Sequence, residues 1–478
     1  MDTGIVVAFL FYLVTMAGIG LVAYTRTRDL ADYLLGGRRL GRWVTALSAE
    51  ASDMSGWLLL GLPGLAYSSG LQSLWLAGGL LAGTWLNWRF MARRLRVATQ
   101  ACGDALTLPD YLAQRFGDDS HALRLLAAVI ILVFFTIYTT SGLVAGGKLF
   151  TTVFGIDYPL AVLAGGGVIL LYTFLGGFFA VCWTDLVQGL LMVLALVVVP
   201  LVAILDQGGP AAMMHHLAAV DPALLDPLSG KGGAPLGLVG LLSLLGWGLG
   251  YFGQPHILAR FMAIRDPAEI GSARRIAVGW VCLSLAGAVL VGLAAPGYLP
   301  PGTTGDAEKV FLQLVRLVFH PWIAGILLAA VLAAIMSTAD SQLLVASSAL
   351  ADDFYKALLR PAASPRELMW VGRLAVLLVA ALATWLALDR NSRVLDVVAY
   401  AWAGFGAAFG PTLLLALYWP GMTRAGAFTG MLVGGVTVVA WKSLHGGLFD
   451  LYEIIPGMLA ATAAILLASL AERRLSRR

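Results

Sequence analysis

Charged residues are scarce in this chain. Asp, Glu, Lys and Arg make up 12% of its 478 residues while 59% are hydrophobic, and an ordinary soluble domain carries about 25% charge. A water-soluble protein of this size is thereby excluded, because too little polar surface remains to cover the core. Cysteine is nearly missing too. Cys102, Cys182 and Cys282 are far apart and form no CxxC pair, which argues against a disulfide framework or a thiolate zinc site and leaves them as small packing residues. His215 and His216 stand in a Pro- and Gly-rich stretch at 206–235 without a third ligand nearby; a tetrahedral metal site needs three or four, so a solvated loop is expected. No nucleophile and base converge with a cofactor motif, and an enzyme is not expected. The pattern Gly248-x-Gly250-x-x-Gly253 is no dinucleotide fingerprint, since it falls inside an apolar run rather than between a strand and a helix.

What the chain has instead is long apolar runs. A membrane-spanning helix needs about 20 mainly apolar residues, and thirteen such segments can be marked out, at 4–24, 43–63, 72–95, 122–150, 157–178, 184–205, 236–257, 276–297, 310–348, 370–388, 396–418, 426–443 and 452–471. The spacing therefore predicts an all-α membrane protein with thirteen transmembrane helices, the ninth tilted or continuing past the membrane surface. Lys and Arg gather in cytoplasmic loops. Of the 31 basic residues, 24 fall on one side of the alternation, beginning with Arg26, Arg28, Arg38, Arg39 and Arg42 and ending with four at the C-terminus; Lys148, Lys231, Lys309, Arg316, Arg390, Arg393 and Lys442 fall on the other. This places the N-terminus outside and the C-terminus in the cytoplasm. The net charge of +4 is that bias and no nucleic-acid signal. Asp2 precedes the first apolar run with no basic stretch, so no cleaved signal peptide is expected.

Two of these segments are interrupted. Ala49-Glu50-Ala51-Ser52-Asp53-Met54-Ser55-Gly56-Trp57 puts two carboxylates and two hydroxyls between the apolar runs 43–47 and 57–62. An ionisable group at mid-bilayer costs at least about 2.5 kcal/mol and marks an ion or substrate path. In the seventh segment, Gly246 to Pro255 holds four glycines and a proline, enough to unwind a helix, although small residues also serve close helix packing. The two interruptions stand five segments apart, which points to an inverted-repeat carrier with its site at the midplane. The repeats would cover 43–205 and 236–418, with 1–42 before them and 419–478 after. In the ninth segment, Ala334, Ser337, Thr338 and Ser341 share one helix face, a small oxygen-bearing surface suited to a hard cation.

The same residues carry a family resemblance. Ala51 to Leu59, Leu106 to Tyr111 with Arg115-Phe116, Gly176-Gly177 followed by Trp183-Thr184-Asp185 and Gln188, the string from Gly246 to Phe261, and Met336-Ser337-Thr338 resemble the sodium:solute symporter family, and within it the branch that carries proline. The resemblance implies a LeuT-type core of five plus five helices with one extra helix before it and two after. It implies sodium held by the carbonyls of Ala51, Met54 and Ala334 and the hydroxyls of Ser337 and Thr338, with Asp53 nearby as an ion-linked acid. It also implies an L-proline pocket at Ser55, Trp57, Tyr138, Trp247 and Tyr251, whose flat rings suit a pyrrolidine and whose polar atoms suit a zwitterion. Arg38 matches an arginine linked to the inner gate. Asp185, Asp340 and Ser341 are candidates for a further oxygen site assisting ion release, with one sodium expected per proline. Glu50 and Asp340 stand where some members of that branch have neutral residues, and no role is assigned to Glu50. The expected location is the plasma membrane, in bacteria the inner membrane. Other small solutes of the family, or a transporter-like sensor with its signalling domain on a partner, are the alternatives.

Overall fold

The computed structural model describes residues 2–24, 35–173, 177–300, 302 and 304–475; Arg26, Arg28 and Gly176 lie outside them. Among the described residues the regular structure is helical, and the only strand-like pairings are the isolated bridges Leu40 to Ile264 and Ser229 to Pro235. Nine helices there are long and apolar enough to cross a membrane: Thr3–Val22, Ala122–Phe154, Phe178–Asp206, Pro267–Gly297, Pro321–Leu359, Pro365–Ala387, Val394–Tyr418, Arg424–Lys442 and Ile454–Leu475. The protein is a multi-pass membrane protein.

The four other expected segments fall short of that measure for visible reasons. The second stops at Asp53 and resumes at Trp57. The third runs through a widened turn at Asn87–Met91 into the basic helix Ala92–Ala101. The fifth is helical over Tyr158–Thr173, 16 residues. The seventh is a helix at Leu238–Gly246, a tight 3₁₀ stretch at Trp247–Gly253, an extended Gln254 and a second helix at Pro255–Ala263.

Other expectations need correction. The ninth segment is two elements: Val310–Val318 ends at an extended Phe319, and a new helix begins at Pro321, where proline's missing N–H costs nothing and its fixed φ suits the first turn. That helix passes into widened turns over Ala349–Leu359. The sixth begins at Phe178 rather than 184, which carries Asp185 about two turns inside. The stretch 206–235 is not simply a solvated loop, for Pro210–Val220 is helical and His216 Nδ1 lies 3.0 Å from Gln207 Oε1. Pro210 again takes a first-turn position, and the Ala, Met and Leu that follow propagate the helix.

Burial sorts the helices into centre and rim. The most apolar window of Pro321–Leu359 is 83% buried, while those of Thr3–Val22 and Ile454–Leu475 are 28% buried. The interrupted seventh segment sits against its neighbours through bare backbone. A Cβ on Gly248 would collide with the carbonyl of Gly79, one on Gly83 with the carbonyl of Gly248, and one on Gly253 with the carbonyl of Phe405. Helix interruption and close packing, two readings of the glycine run, are thus both present. The close approaches require residues without a Cβ, and the tight 3₁₀ turn runs through the same glycines.

Candidate functional site

The second segment breaks inside its polar run Glu50 to Ser55. Met54 leaves the helix at φ −84°, ψ 80°, and the backbone groups around it lose their usual helical partners. Across from the break, the Pro321–Ser348 helix presents Ala334, Ser337 and Thr338. Ser337 Oγ donates to the Ala51 carbonyl at 2.7 Å and lies 3.2 Å from the Ala334 carbonyl, while Thr338 Oγ1 stands 3.5 Å from the Ala51 carbonyl. Four of the five expected cation ligands therefore meet. Met54 is at the first non-helical position, and no hydrogen bond joins it to the other four among the described residues. The cluster offers oxygen only, from neutral groups, which suits a hard monovalent ion rather than a transition metal.

Next to it, Asp53 organises the aromatic residues. Its carbonyl accepts from Trp57 Nε1 and from Tyr138 Oη, each at 3.2 Å, and its Oδ2 accepts from Tyr251 Oη at 2.7 Å. Ser55 is buried beside the Tyr138 hydroxyl. The rings of Trp57 and Trp247 stand 6.4 Å apart at 46°. All five expected solute-binding residues thus converge on the two helix breaks. Trp402 was not foreseen: its Nε1 donates to the Trp247 carbonyl at 2.7 Å, and its ring meets Tyr251 edge-on at 5.0 Å. Gln254 Nε2 ties the same region to the carbonyls of Gly250 and Trp402 at 3.1 and 3.2 Å. An aromatic in an apolar segment gives no sequence signal that separates such a role from lipid anchoring.

A second polar group lies one turn further along. Asp185 Oδ2 accepts from Ser48 Oγ at 2.7 Å and Ser52 Oγ at 3.0 Å, and Ser341 Oγ lies 2.9 Å from Ser52 Oγ. The resident of this group is Arg260. Its guanidinium is fully buried, 3.3 Å from Asp185 Oδ2, and donates to Ser341 Oγ at 2.5 Å, Ser48 Oγ at 3.1 Å and the His256 carbonyl at 2.8 Å. By the segment bounds 236–257 and 276–297 Arg260 falls in a basic loop; the structure puts it inside the protein. Asp340 does not join the group. Its Oδ1 meets Thr173 Oγ1 at 2.5 Å, holding the Tyr158–Thr173 helix instead. Glu50 is buried, and Oε1 accepts from Trp88 Nε1 at 2.8 Å.

Arg38 ties together one end of the helix bundle. It donates to the carbonyls of Met262 and Ala105, each at 2.8 Å, to Thr99 Oγ1 at 3.2 Å, and pairs with Asp104 at 2.9 Å. Leu40 and Ile264 bridge just beside it. Burial lowers the basicity of this guanidinium and the Asp104 carboxylate raises it again. One side chain thereby gathers the ends of the Ala92–Ala101 and Pro255–Ala263 helices.

Comparison with known proteins shows what the chain as a whole resembles. The sodium/proline symporter of Salmonella typhimurium is 50% identical over 98% of this chain and 93% of its own length. The high-affinity proline transporter PutP of Bacillus subtilis is also 50% identical, over 95% of each. Among solved structures, a substrate-bound, outward-open Na+-coupled sialic acid symporter superposes with a TM-score of 0.80 at 21% identity, covering 98% of both chains. The likeness is one of fold, shared with LeuT-type transporters. The sodium:solute symporter family model matches residues 33–434, and the chain is a member of that family.

Proposed function

We propose that the protein imports L-proline together with sodium by alternating access. One observation carries this reading. The neutral oxygen cluster of Ala51, Ala334, Ser337 and Thr338 and the aromatic group of Trp57, Tyr138, Trp247 and Tyr251 are joined through the same broken backbone, so an ion at the first stiffens the second. Sodium is cargo here, held by those four residues and the Met54 carbonyl. The carbonyls and hydroxyls lining the break, Ser55 among them, would take the zwitterion, and the rings would flank the pyrrolidine.

In this reading the four interrupted or shorter segments complete thirteen crossings. Residues 43–205 and 236–418 form the two five-helix repeats, preceded by one helix and followed by two. The N-terminus faces outward and the chain resides in the plasma membrane, the inner membrane of a bacterium. Single cysteines replacing Gly232 and Ala363 should accordingly react with a membrane-impermeant thiol reagent from opposite sides. Labelling of both from one side would end this topology.

Arg260 bears on the number of ions moved. A guanidinium already neutralises Asp185 where Asp185 and Ser341 had suggested a further cation site, which supports one sodium per solute. One charge moving through 100 mV contributes about 2.3 kcal/mol and a tenfold sodium gradient about 1.4 kcal/mol, so one ion supports accumulation on the order of 500-fold and two would square that ratio. Purified protein in liposomes should take up labelled proline only with a sodium gradient, and the proline gradient that stops net flux should rise with the sodium driving force at a ratio of one. Sodium-independent uptake would overturn the symport reading; a ratio of two would overturn the stoichiometry.

A further inference from the structure

The turn that leads into the last helix takes part in the candidate pocket through Tyr452, two residues before Ile454. Trp247 has two aromatic neighbours. Trp57 is tilted at 46° and 6.4 Å, whereas Tyr452 lies nearly parallel at 23° and 5.5 Å. Tyr452 is itself fixed from two directions. Its backbone N–H donates to Ser243 Oγ at 2.9 Å, on the helix that leads into Trp247, and its hydroxyl donates to the Ala399 carbonyl at 2.7 Å, on the Val394–Tyr418 helix. The residues after it lock the placement. A Cβ on Gly246 would lie 2.9 Å from Ile455 Cδ1, and one on Gly406 would lie 2.6 Å from Ile454 Cδ1. Trp402, from the same Val394–Tyr418 helix, holds the Trp247 carbonyl. The backbone of Trp247 is thus set by Trp402 and its ring plane by Tyr452.

We propose that Tyr452 is a positioning residue for solute recognition, holding the Trp247 ring as a flat wall against which a small saturated ring packs. This rests on the placement of the solute beside Trp247. A flat wall discriminates by shape, because an offset or parallel ring contact loses its energy when one partner tilts. The connection that supplies Tyr452, between the helices Arg424–Lys442 and Ile454–Leu475, lies outside the ten-helix repeat proposed above, so specificity would depend on an element appended to the transport core rather than on the core alone.

The test uses full-length transporter in liposomes and three variants. Tyr452→Leu keeps apolar volume and removes the flat face; it should raise the KM for proline roughly three- to tenfold, the span expected for an aromatic pair, with maximal rate per folded molecule and half-saturating sodium unchanged. Tyr452→Phe restores the face and should return KM to near the parent value. Trp247→Ala serves as the control and should raise KM at least as much. Equilibrium binding of labelled proline to the purified variants gives the same comparison when turnover is slow. A parent-like KM in Tyr452→Leu, or a Tyr452→Phe variant as weak as Tyr452→Leu, overturns the role of Tyr452. A parent-like KM in Trp247→Ala overturns instead the placement of the solute. A lower maximal rate at constant KM would mark Tyr452 as structural only and likewise overturn the inference.

Discussion

Asp185→Ala is expected to lower the unfolding free energy by about 3 to 5 kcal/mol, because it strands the buried Arg260 guanidinium without its countercharge. Both side chains are fully shielded from solvent, so water cannot take the place of the carboxylate. Ser48, Ser52 and Ser341 would remain, but neutral hydroxyls stabilise a buried cation far less than a carboxylate does. Replacing both partners by apolar side chains removes both charges and keeps volume, and the double variant Asp185→Leu/Arg260→Met should recover most of the loss. Thermal unfolding of detergent-purified protein measures both. A single variant that unfolds at the parent temperature would show that the ion pair contributes little.

The second large effect concerns sodium. Ser337→Ala should raise the sodium concentration for half-maximal uptake roughly ten- to hundredfold, since a polar contact to a charged partner contributes about 1.5 to 3 kcal/mol. Thr338→Ala should follow in the same direction and less steeply. Ser337 Oγ is 2.7 Å from the Ala51 carbonyl and Thr338 Oγ1 is 3.5 Å away, so serine is the better-formed part of the cluster. At saturating sodium, proline affinity should return to the parent value in both. Unchanged sodium dependence in the two variants would move the ion away from the Pro321–Ser348 helix.

Much of the fold was legible because a bilayer enforces a simple rule. Helices must be apolar for their whole length unless something is gained by an exception, so the polar stretch at Glu50 to Ser55 and the glycine run at Gly246 to Gly253 stand out in a single sequence. The face of Ala334, Ser337 and Thr338 was legible for the same reason. What stayed hidden was set by three-dimensional neighbours. Arg260 follows an apolar run and precedes basic loop residues, so it read as a topological charge; only the approach of Ser48, Asp185 and Ser341 from three other segments makes it an interior group. Trp402 and Tyr452 carry no local mark that separates a pocket wall from a lipid anchor. The boundary at Pro321 was obscured because apolar residues continue on both sides of it, although the residue before a proline is biased away from helix.

The contacts of Gly79 and Gly83 with Gly248 bear on how such a carrier moves. Side chains between two helices act as a bearing: they can change rotamer and let one rod slide along the other. Where backbone meets backbone there is no bearing. The Ser73–Leu86 helix and the Trp247–Gly253 stretch are therefore coupled like two members of one lever, and in the alternating access proposed above a swing of one carries the other with it.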